Sequence, residues 1–167
     1  MKQKLQEESG ERRKKGTLVV VSGDYEKLFA ALSIATGAAA SNMDVIMFFA
    51  YWGLRALKKN VRTGVSLFGR ILGIMEGGDI NKANPGKYGF LGLGRWMFKK
   101  MSKNKNVAGL AELRQLAIDL GVKMYSCQTT MELLEIPKEK LIDEVADTVG
   151  VGFMIEQSQQ SDFTYFI

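Results

Sequence analysis

The sequence of 167 residues contains no histidine, one cysteine and two prolines. The absence of histidine excludes Ser-His-Asp and Cys-His catalysis, as well as any zinc site that uses histidine. A single cysteine excludes an intramolecular disulfide and a metal site built from several thiolates. The remaining composition, 46% hydrophobic and 25% charged, is typical of a globular domain. Disorder over the whole chain and collagen-like structure are therefore excluded as well.

Acidic side chains are scarce in the middle of the chain. Residues 53–106 carry 12 Lys/Arg but only 2 Asp/Glu, whereas residues 107–167 carry 4 Lys/Arg and 10 Asp/Glu. The net charge of +5 therefore conceals a basic middle segment and an acidic C-terminal third. This asymmetry predicts either an anionic partner or self-association through complementary faces.

Long apolar runs are also missing. The opening MKQKLQEESGERRKKG lacks the apolar core of a signal peptide, so we expect residues 1–15 to form a flexible polar tail and the protein to be cytoplasmic. The apolar stretch 28–54 is split by Ser41, Asn42 and Asp44 into two pieces, each too short to span a bilayer. A buried helix followed by a buried strand explains this stretch better.

Strand and helix patterns alternate along the chain. TLVVV at 17–21 and DVIMFFA at 44–50 are continuous apolar runs typical of strands buried on both faces, and an alanine-rich helix separates them. Further strands are predicted at 122–126, 146–149 and 163–167, and further helices at 108–120, 129–134 and 150–160. We therefore expect residues 16–167 to form a single three-layer α/β/α domain with a mostly parallel sheet of about five strands.

Residues 58–106 have a different character, and we predict a basic, partly helical insert there. Apolar residues recur at near-helical spacing over 63–75, and Arg95–Lys105 mixes cations with Trp96 and other large apolar side chains. A solvated charged face over a core stripe is the simplest interpretation, and a protein interface is the next. Nucleic acid is not expected as a partner, whereas peripheral membrane contact through the insert is an alternative.

Polar or aromatic residues follow three predicted strands. They are Ser22, Gly23 and Asp24 after the first strand, Tyr51 and Trp52 after the second, and Cys127, Gln128 and Thr129 after the third. Ligands of open parallel sheets bind at the carboxyl ends of the strands. The sequence therefore predicts a site at this edge of the sheet, with Asp24 also acting as the N-cap of the first helix. No metal ligands are predicted.

Cys127 is the candidate nucleophile of this site. It directly follows a strand and precedes a helix that Thr129 and Glu132 are expected to begin as a capping box. Amides at a helix N-terminus favour a thiolate, and Lys123, on the same face of the strand, would assist. The alternative is that Cys127 is a small, inert, buried side chain.

Two segments of the chain resemble the DsrE/DsrF-like sulfur-relay family. They are KMYSCQTTMELLEI at 123–136 and TLVVVSGDYEKLFAALSIATGAAASNMDVIMFFAYWGL at 17–54. When the order of predicted strands and helices is compared with that of the family, the resemblance covers residues from about 17 to 57 and from 107 to 167. It departs from the compact members of the family in the 58–106 insert, and the single cysteine excludes a relay pair within one chain.

The resemblance implies that Cys127 carries sulfur as a persulfide between donor and acceptor proteins. It also implies a homo-oligomer, commonly trimeric or hexameric, and no metal or organic cofactor. We therefore expect a sulfur carrier or sulfurtransferase-like protein, and we leave open whether it is an enzyme. The alternatives are a non-enzymatic α/β module that binds a nucleotide or other anion at the sheet edge, and an oligomeric scaffold.

Overall fold

The computed structural model describes residues 12–61, 63–76, 78–86, 93–105 and 107–167. The strands are β1 (Lys15–Val20), β2 (Asp44–Phe49), β3 (Lys123–Cys127), β4 (Val145–Val149) and β5 (Phe163–Phe166). The α-helices are α1 (Tyr25–Ala40), α2 (Leu67–Glu76), α3 (Leu93–Asn104), α4 (Leu110–Asp119), α5 (Gln128–Leu133) and α6 (Val151–Gln159). Short 3₁₀ helices occupy Tyr51–Leu57, Ile80–Lys82 and Lys138–Lys140.

The five strands form one sheet in the order β4-β3-β2-β1-β5, and every neighbouring pair runs parallel. The register of β1 against β2 is unbroken from Lys15 opposite Asp44 to Val20 opposite Phe49. Both strands are buried over five consecutive residues, as expected when helices cover both faces of a parallel sheet. The predicted three-layer α/β/α fold with a mostly parallel sheet of about five strands is confirmed.

The main core lies on one face of the sheet, under α1 and α4, which pack against each other. Helix α1 buries Leu28, Ala31, Leu32, Ala35 and Thr36, the spacing of one helical face, and its small side chains allow close approach to the sheet. Helix α4 contributes Leu110, Leu113 and Ala117 in the same way. It ends at Asp119, and Gly121, two residues further on, has a φ of 83°, the left-handed region that favours glycine.

The opposite face of the sheet carries a much smaller cluster. Its buried members are Val19, Phe48, Ala50 and Cys127. Met154 of α6 packs against this cluster, and so do Val21, Tyr125 and Val149. Cys127 therefore lies on the thinly covered side of the sheet, away from the main core.

The N-terminal end of the described chain is bonded to the sheet. Residues 1–11 of the predicted tail lie outside the described residues. Arg12 donates a hydrogen bond to the carbonyl of Gln160 at 2.7 Å, and Arg13 pairs with the carboxylate of Asp44 at 3.0 Å. Lys15, at the end of that predicted tail, is already the first residue of β1.

Two apolar side chains distinguish the contribution of the core from that of the surface. Phe49 of β2 is fully buried, whereas Leu133 of α5 is 64% exposed. We expect Phe49→Ala to lower the free energy of unfolding by about 3–5 kcal/mol, because it removes buried apolar area and leaves a cavity. Leu133→Ala, the exposed control, should change it by less than about 0.5 kcal/mol. Urea titration followed by circular dichroism measures both, and equal losses would contradict the described core.

Candidate functional site

The three predicted segments meet at the carboxyl edge of the sheet, where β1, β2 and β3 are neighbours. The amide of Ala50 donates to the carbonyl of Val20 at 2.9 Å, and that of Gly53 donates to the carbonyl of Val21 at 3.0 Å. The backbone amide of Tyr51 donates to the hydroxyl of Thr130 at 3.2 Å. The ends of β1 and β2 and the helix after Cys127 are thus joined by hydrogen bonds.

Close backbone approach explains the glycine at the end of β1. A Cβ atom on Gly23 would lie 2.6 Å from the carbonyl oxygen of Trp52, a distance at which one of the two segments would have to move. Ser22 is half-buried beside it, and its hydroxyl accepts a hydrogen bond from the amide of Asp24 at 3.2 Å. Ser22 and Gly23 therefore shape the edge of the site.

Asp24 occupies the N-cap position of α1, but the predicted capping role of its side chain is wrong. The carboxylate makes no capping hydrogen bond. The loop at 84–86 covers the start of the helix instead, since the amide of Tyr25 donates to the carbonyl of Asn84 at 2.9 Å. The amide of Gly86 in turn donates to the carboxylate of Glu26 at 3.2 Å. Two acidic side chains and a backbone carbonyl at this helix start disfavour a bound anion.

Tyr51 and Trp52 stand at the rim of the site, with 53% and 46% of each residue exposed. Tyr51 has a φ of 46°, a left-handed conformation that costs free energy in a residue other than glycine. Its bond to Thr130 stabilises this turn. Both aromatic residues are therefore exposed on a strained backbone that the hydroxyl of Thr130 in α5 holds in place.

Cys127 is the last residue of β3 and stands immediately before α5, as predicted. It is only 8% exposed, so its thiol lies within the cluster under α6 rather than open to solvent. Lys123 is at the opposite end of the same strand, about 13 Å away at the usual rise per residue, so the expected help from this lysine is wrong. Access to Cys127 therefore depends on the side chains of this cluster and on those packed against it, among them Met154 of α6.

Helix α5 begins one residue earlier than predicted. Gln128 opens the helix, with Cys127 rather than Thr129 at the N-cap position, so the predicted capping box is wrong. Gln128 and Thr129 are both exposed. The side-chain amide of Gln128 donates to the carboxylate of Glu132 at 3.0 Å, one helical turn further on. Gln128 and Thr129 thus line the solvent side of the site.

No sequence pattern indicated a role for Glu135, which follows α5 with a φ of 50°. Its carboxylate accepts hydrogen bonds from the amide of Val65 and, at 2.7 Å, from that of Ser66. The hydroxyl of Ser66 and these two amides lower the pKa of Glu135. Glu135 thereby joins Val65 and Ser66, near the start of the insert, to the end of α5, the helix that begins directly after Cys127.

A groove of about 580 Å³ runs beside α5 without reaching the thiol. Its wall includes Val65 from the insert, Gln128 and Glu135 from the α5 region, and Lys138 and Asp147 near β4. The amide of Thr148 and the side chain of Lys138 lower the pKa of Asp147. Three carboxylates in its wall, those of Glu132, Glu135 and Asp147, make this groove a poor site for a nucleotide phosphate.

Two classes of site receive no support among the residues that the structure describes. No group of three or more histidine, cysteine, aspartate or glutamate residues there is placed to hold a metal ion. Within the same residues, no helix has the length and apolar character needed to cross a membrane.

The fold and the position of Cys127 define a three-layer α/β/α protein with its one thiol at the end of a central strand. A model of the DsrE/DsrF/DrsH-like family matches residues 12–166. The chain therefore belongs to this family, which confirms the resemblance seen in its sequence.

Two relatives align over nearly the whole chain. One is the uncharacterized protein YrkE of Bacillus subtilis, 36% identical over 94% of this chain and 99% of its own length. The other is the sulfur carrier protein DsrE2 of Allochromatium vinosum, 31% identical over 93% of this chain and 99% of its own length. Alignments of this extent include most of residues 58–106, so the insert is not a feature of this chain alone.

Two solved structures share the fold. The ychN protein from E. coli superposes with a TM-score of 0.57 at 13% identity, over 93% of this chain and 100% of its own. The protein MTH1491 from Methanobacterium thermoautotrophicum superposes with a TM-score of 0.51 at 11% identity, over 91% and 98%. At this level of identity the likeness concerns the fold.

Substitutions of two neighbouring threonines test the hydrogen bond between the amide of Tyr51, just after β2, and the hydroxyl of Thr130 in α5. Thr130→Val removes the buried acceptor of the Tyr51 amide, and we expect it to lower the free energy of unfolding by about 1–3 kcal/mol. It should also speed alkylation of Cys127. Thr129→Val, an exposed control one residue away, should change stability by less than about 0.5 kcal/mol. Urea unfolding and iodoacetamide labelling measure these effects, and indistinguishable variants would contradict the assigned bond.

Proposed function

We propose that this protein is a cytoplasmic sulfur carrier that accepts sulfane sulfur as a persulfide on Cys127 and passes it to a partner thiol. One observation carries the proposal: the only thiol of the chain stands at the carboxyl end of a central parallel strand, directly before a helix. This is the edge at which α/β proteins form their sites. Membership in the DsrE/DsrF/DrsH-like family and similarity to a protein named as a sulfur carrier support the same role.

Sulfur transfer of this kind needs no external oxidant or reductant. The thiolate of Cys127 attacks the outer sulfur of a donor persulfide, R–S–SH, and its electron pair forms the new S–S bond. The S–S bond of the donor breaks, and the donor leaves as a thiolate with that electron pair. An acceptor thiolate then attacks the outer sulfur on Cys127 and regenerates the Cys127 thiolate. Neither step requires a metal or an organic cofactor.

The burial of Cys127 determines how such a carrier would work. Cys127, a residue only 8% exposed, is poorly accessible to small thiols in solution, because exchange requires direct attack on its sulfur. A partner protein would have to open the cluster that contains Cys127, against which Met154 and Val149 pack. Without a histidine or second cysteine, the chain offers no ordinary general base of its own. We therefore propose a carrier that works with donor and acceptor proteins.

The persulfide itself can be detected by intact mass. We expect wild-type protein incubated with a persulfide donor to gain about 32 Da, the mass of one sulfur, as expected for the reversible persulfide of a cysteine. Dithiothreitol should remove the added mass. Cys127→Ser should never acquire it, although this nearly isosteric variant should fold.

A failure of wild-type protein to gain sulfur would distinguish a sulfur carrier from a module that binds a nucleotide or other anion. If wild-type protein gains no sulfur under conditions that load a known carrier, the carrier role is wrong. A nucleotide or phosphate that raises the melting temperature of such unloaded protein would then favour the anion-binding module.

We also propose that the protein is a homo-oligomer. Helix α6 and strand β5 present Val151, Ile155, Tyr165 and Phe166 to solvent in the single chain, at the edge of the sheet opposite β4 and on its thinly covered face. Exposed apolar surfaces of this kind are typical of protein interfaces. Peripheral membrane contact through the basic insert is a separate part of the proposal.

Light scattering tests self-association directly. We expect a mass that is a multiple of the 18.5 kDa chain, with a trimer or hexamer as the leading assignments. The double variant Val151→Ser/Phe166→Ser should lower that mass, because it replaces two exposed apolar side chains of the proposed interface. A wild-type protein that gives the monomer mass at both low and moderate salt would contradict this part of the proposal.

A further inference from the structure

The groove beside α5 takes its walls from three parts of the chain. Helix α5 and the residues after it form one wall, β4 contributes Asp147 and Thr148, and Val65 comes from the insert. Strand β4 is at the edge of the sheet, so none of the other described strands covers its outer side. With a volume of about 580 Å³, the groove has room for several side chains of another molecule.

The lining of the groove combines apolar and acidic side chains. Its apolar members are Val65, Met131, Ile136 and Pro137. Three carboxylates stand beside them, against a single ammonium group, that of Lys138. The lowered pKa values of Glu135 and Asp147 keep these two carboxylates ionised at neutral pH. The groove therefore combines net negative charge with apolar contact surface.

Two of these carboxylates each keep one oxygen atom that has no partner among the residues that the structure describes. Glu132 accepts the side-chain amide of Gln128 through Oε1 alone. Asp147 accepts the amide of Thr148 and the ammonium group of Lys138 through Oδ1 alone. Oε2 of Glu132 and Oδ2 of Asp147 are thus free acceptors on two different elements, α5 and β4, that line the same groove.

Charge and shape together select the kind of molecule that fits. An anion would face three carboxylates. A metal ion finds no group of three or more suitable ligands within the described part of the chain. A polypeptide segment with lysine or arginine side chains beside an apolar one matches both the free carboxylate oxygens and the apolar lining.

The groove lies next to the cysteine without containing it. Gln128, in its wall, directly follows Cys127 in sequence. Thr148, also in its wall, stands opposite Ser126 in the register of β4 against β3, and Cys127 stands opposite Val149. A segment bound in the groove would therefore be anchored one residue from Cys127 along both strands.

We propose that this groove binds a cationic segment of the protein that exchanges sulfur with Cys127. The inference rests on the proposed function and adds the chemistry by which the partner protein is recognised. Its lysine or arginine side chains bond to Glu132 and Asp147, and an apolar side chain packs against Val65. Anchoring beside the cysteine raises the effective concentration of the partner's own thiol there, which favours exchange with a poorly accessible sulfur.

Fluorescence anisotropy with two synthetic peptides tests the groove. Wild-type protein and Cys127→Ser should both bind a labelled peptide of lysine, leucine and glycine, and neither should bind the peptide in which glutamate replaces lysine. Glu132→Gln/Asp147→Asn should weaken binding by about fivefold, through the loss of two exposed ion pairs. Lys138→Gln should strengthen binding by about twofold, because Asp147 loses a competing cation. Asp143→Asn, which removes an exposed carboxylate outside the groove, should bind as wild type does.

The same two peptides, each extended by a cysteine persulfide, connect the groove to sulfur transfer. The lysine peptide should add sulfur to wild-type protein faster than the glutamate peptide does. Glu132→Gln/Asp147→Asn should reduce this difference, whereas Asp143→Asn should keep it. Circular dichroism checks that each variant is folded.

The outcomes distinguish this groove from the sulfur chemistry itself. Binding is measured on Cys127→Ser, so the expected order of the variants would support the cationic-segment site even if wild-type protein gained no sulfur. Absence of lysine-peptide binding, or equal effects of the groove variant and Asp143→Asn, would overturn the inference even if Cys127 gains sulfur. A lower oligomer mass for Glu132→Gln/Asp147→Asn, without peptide binding by the wild type, would assign the groove to a second copy instead.

Discussion

The unbroken parallel register of the three central strands is the constraint on which the site depends. Because β2 is paired with β1 on one side and with β3 on the other, the chain leaves all three strands at the same edge. The backbone of Trp52 then lies against Gly23, and the amide of Tyr51 reaches Thr130. The position of Cys127 at this edge follows from the sheet and needs no metal, disulfide or bound ligand.

The unequal covering of the two sheet faces has a direct consequence for the thiol. The main core under α1 and α4 holds most of the buried apolar side chains, whereas the face that carries Cys127 has only a small cluster beneath α6. Displacing a few side chains of a small cluster costs less apolar burial than opening the main core. A carrier whose sulfur is covered in isolation but reachable by a partner would gain from this arrangement, since local opening would not disturb the rest of the fold.

The sequence predicted the elements of this fold better than the contacts at their ends. Continuous apolar runs are unambiguous for β1 and β2, and their order with α1 fixes parallel pairing, so the edge that carries Cys127 could be predicted. The caps could not, because a side chain at an N-cap position competes with backbone groups that are distant in sequence. Asn84 bonds the amide at the start of α1 in this way, and no local pattern around Asp24 reveals it. The role of Glu135 was hidden for the same reason.

Helix α2 shows what a hydrophobic pattern does and does not determine. Apolar residues at helical spacing over 63–75 correctly indicated a helix, and the usual assumption would place its apolar face inward. Here Gly69 and Gly73 permit the backbone to lie against Thr63 and Glu135, while Leu67, Phe68 and Ile71 are exposed. Periodicity identifies which residues share a face, whereas burial depends on which face the neighbouring chain can approach more closely. Gly69 and Gly73 are therefore as informative as Leu67 and Phe68, because they show which side of the helix the neighbouring chain approaches.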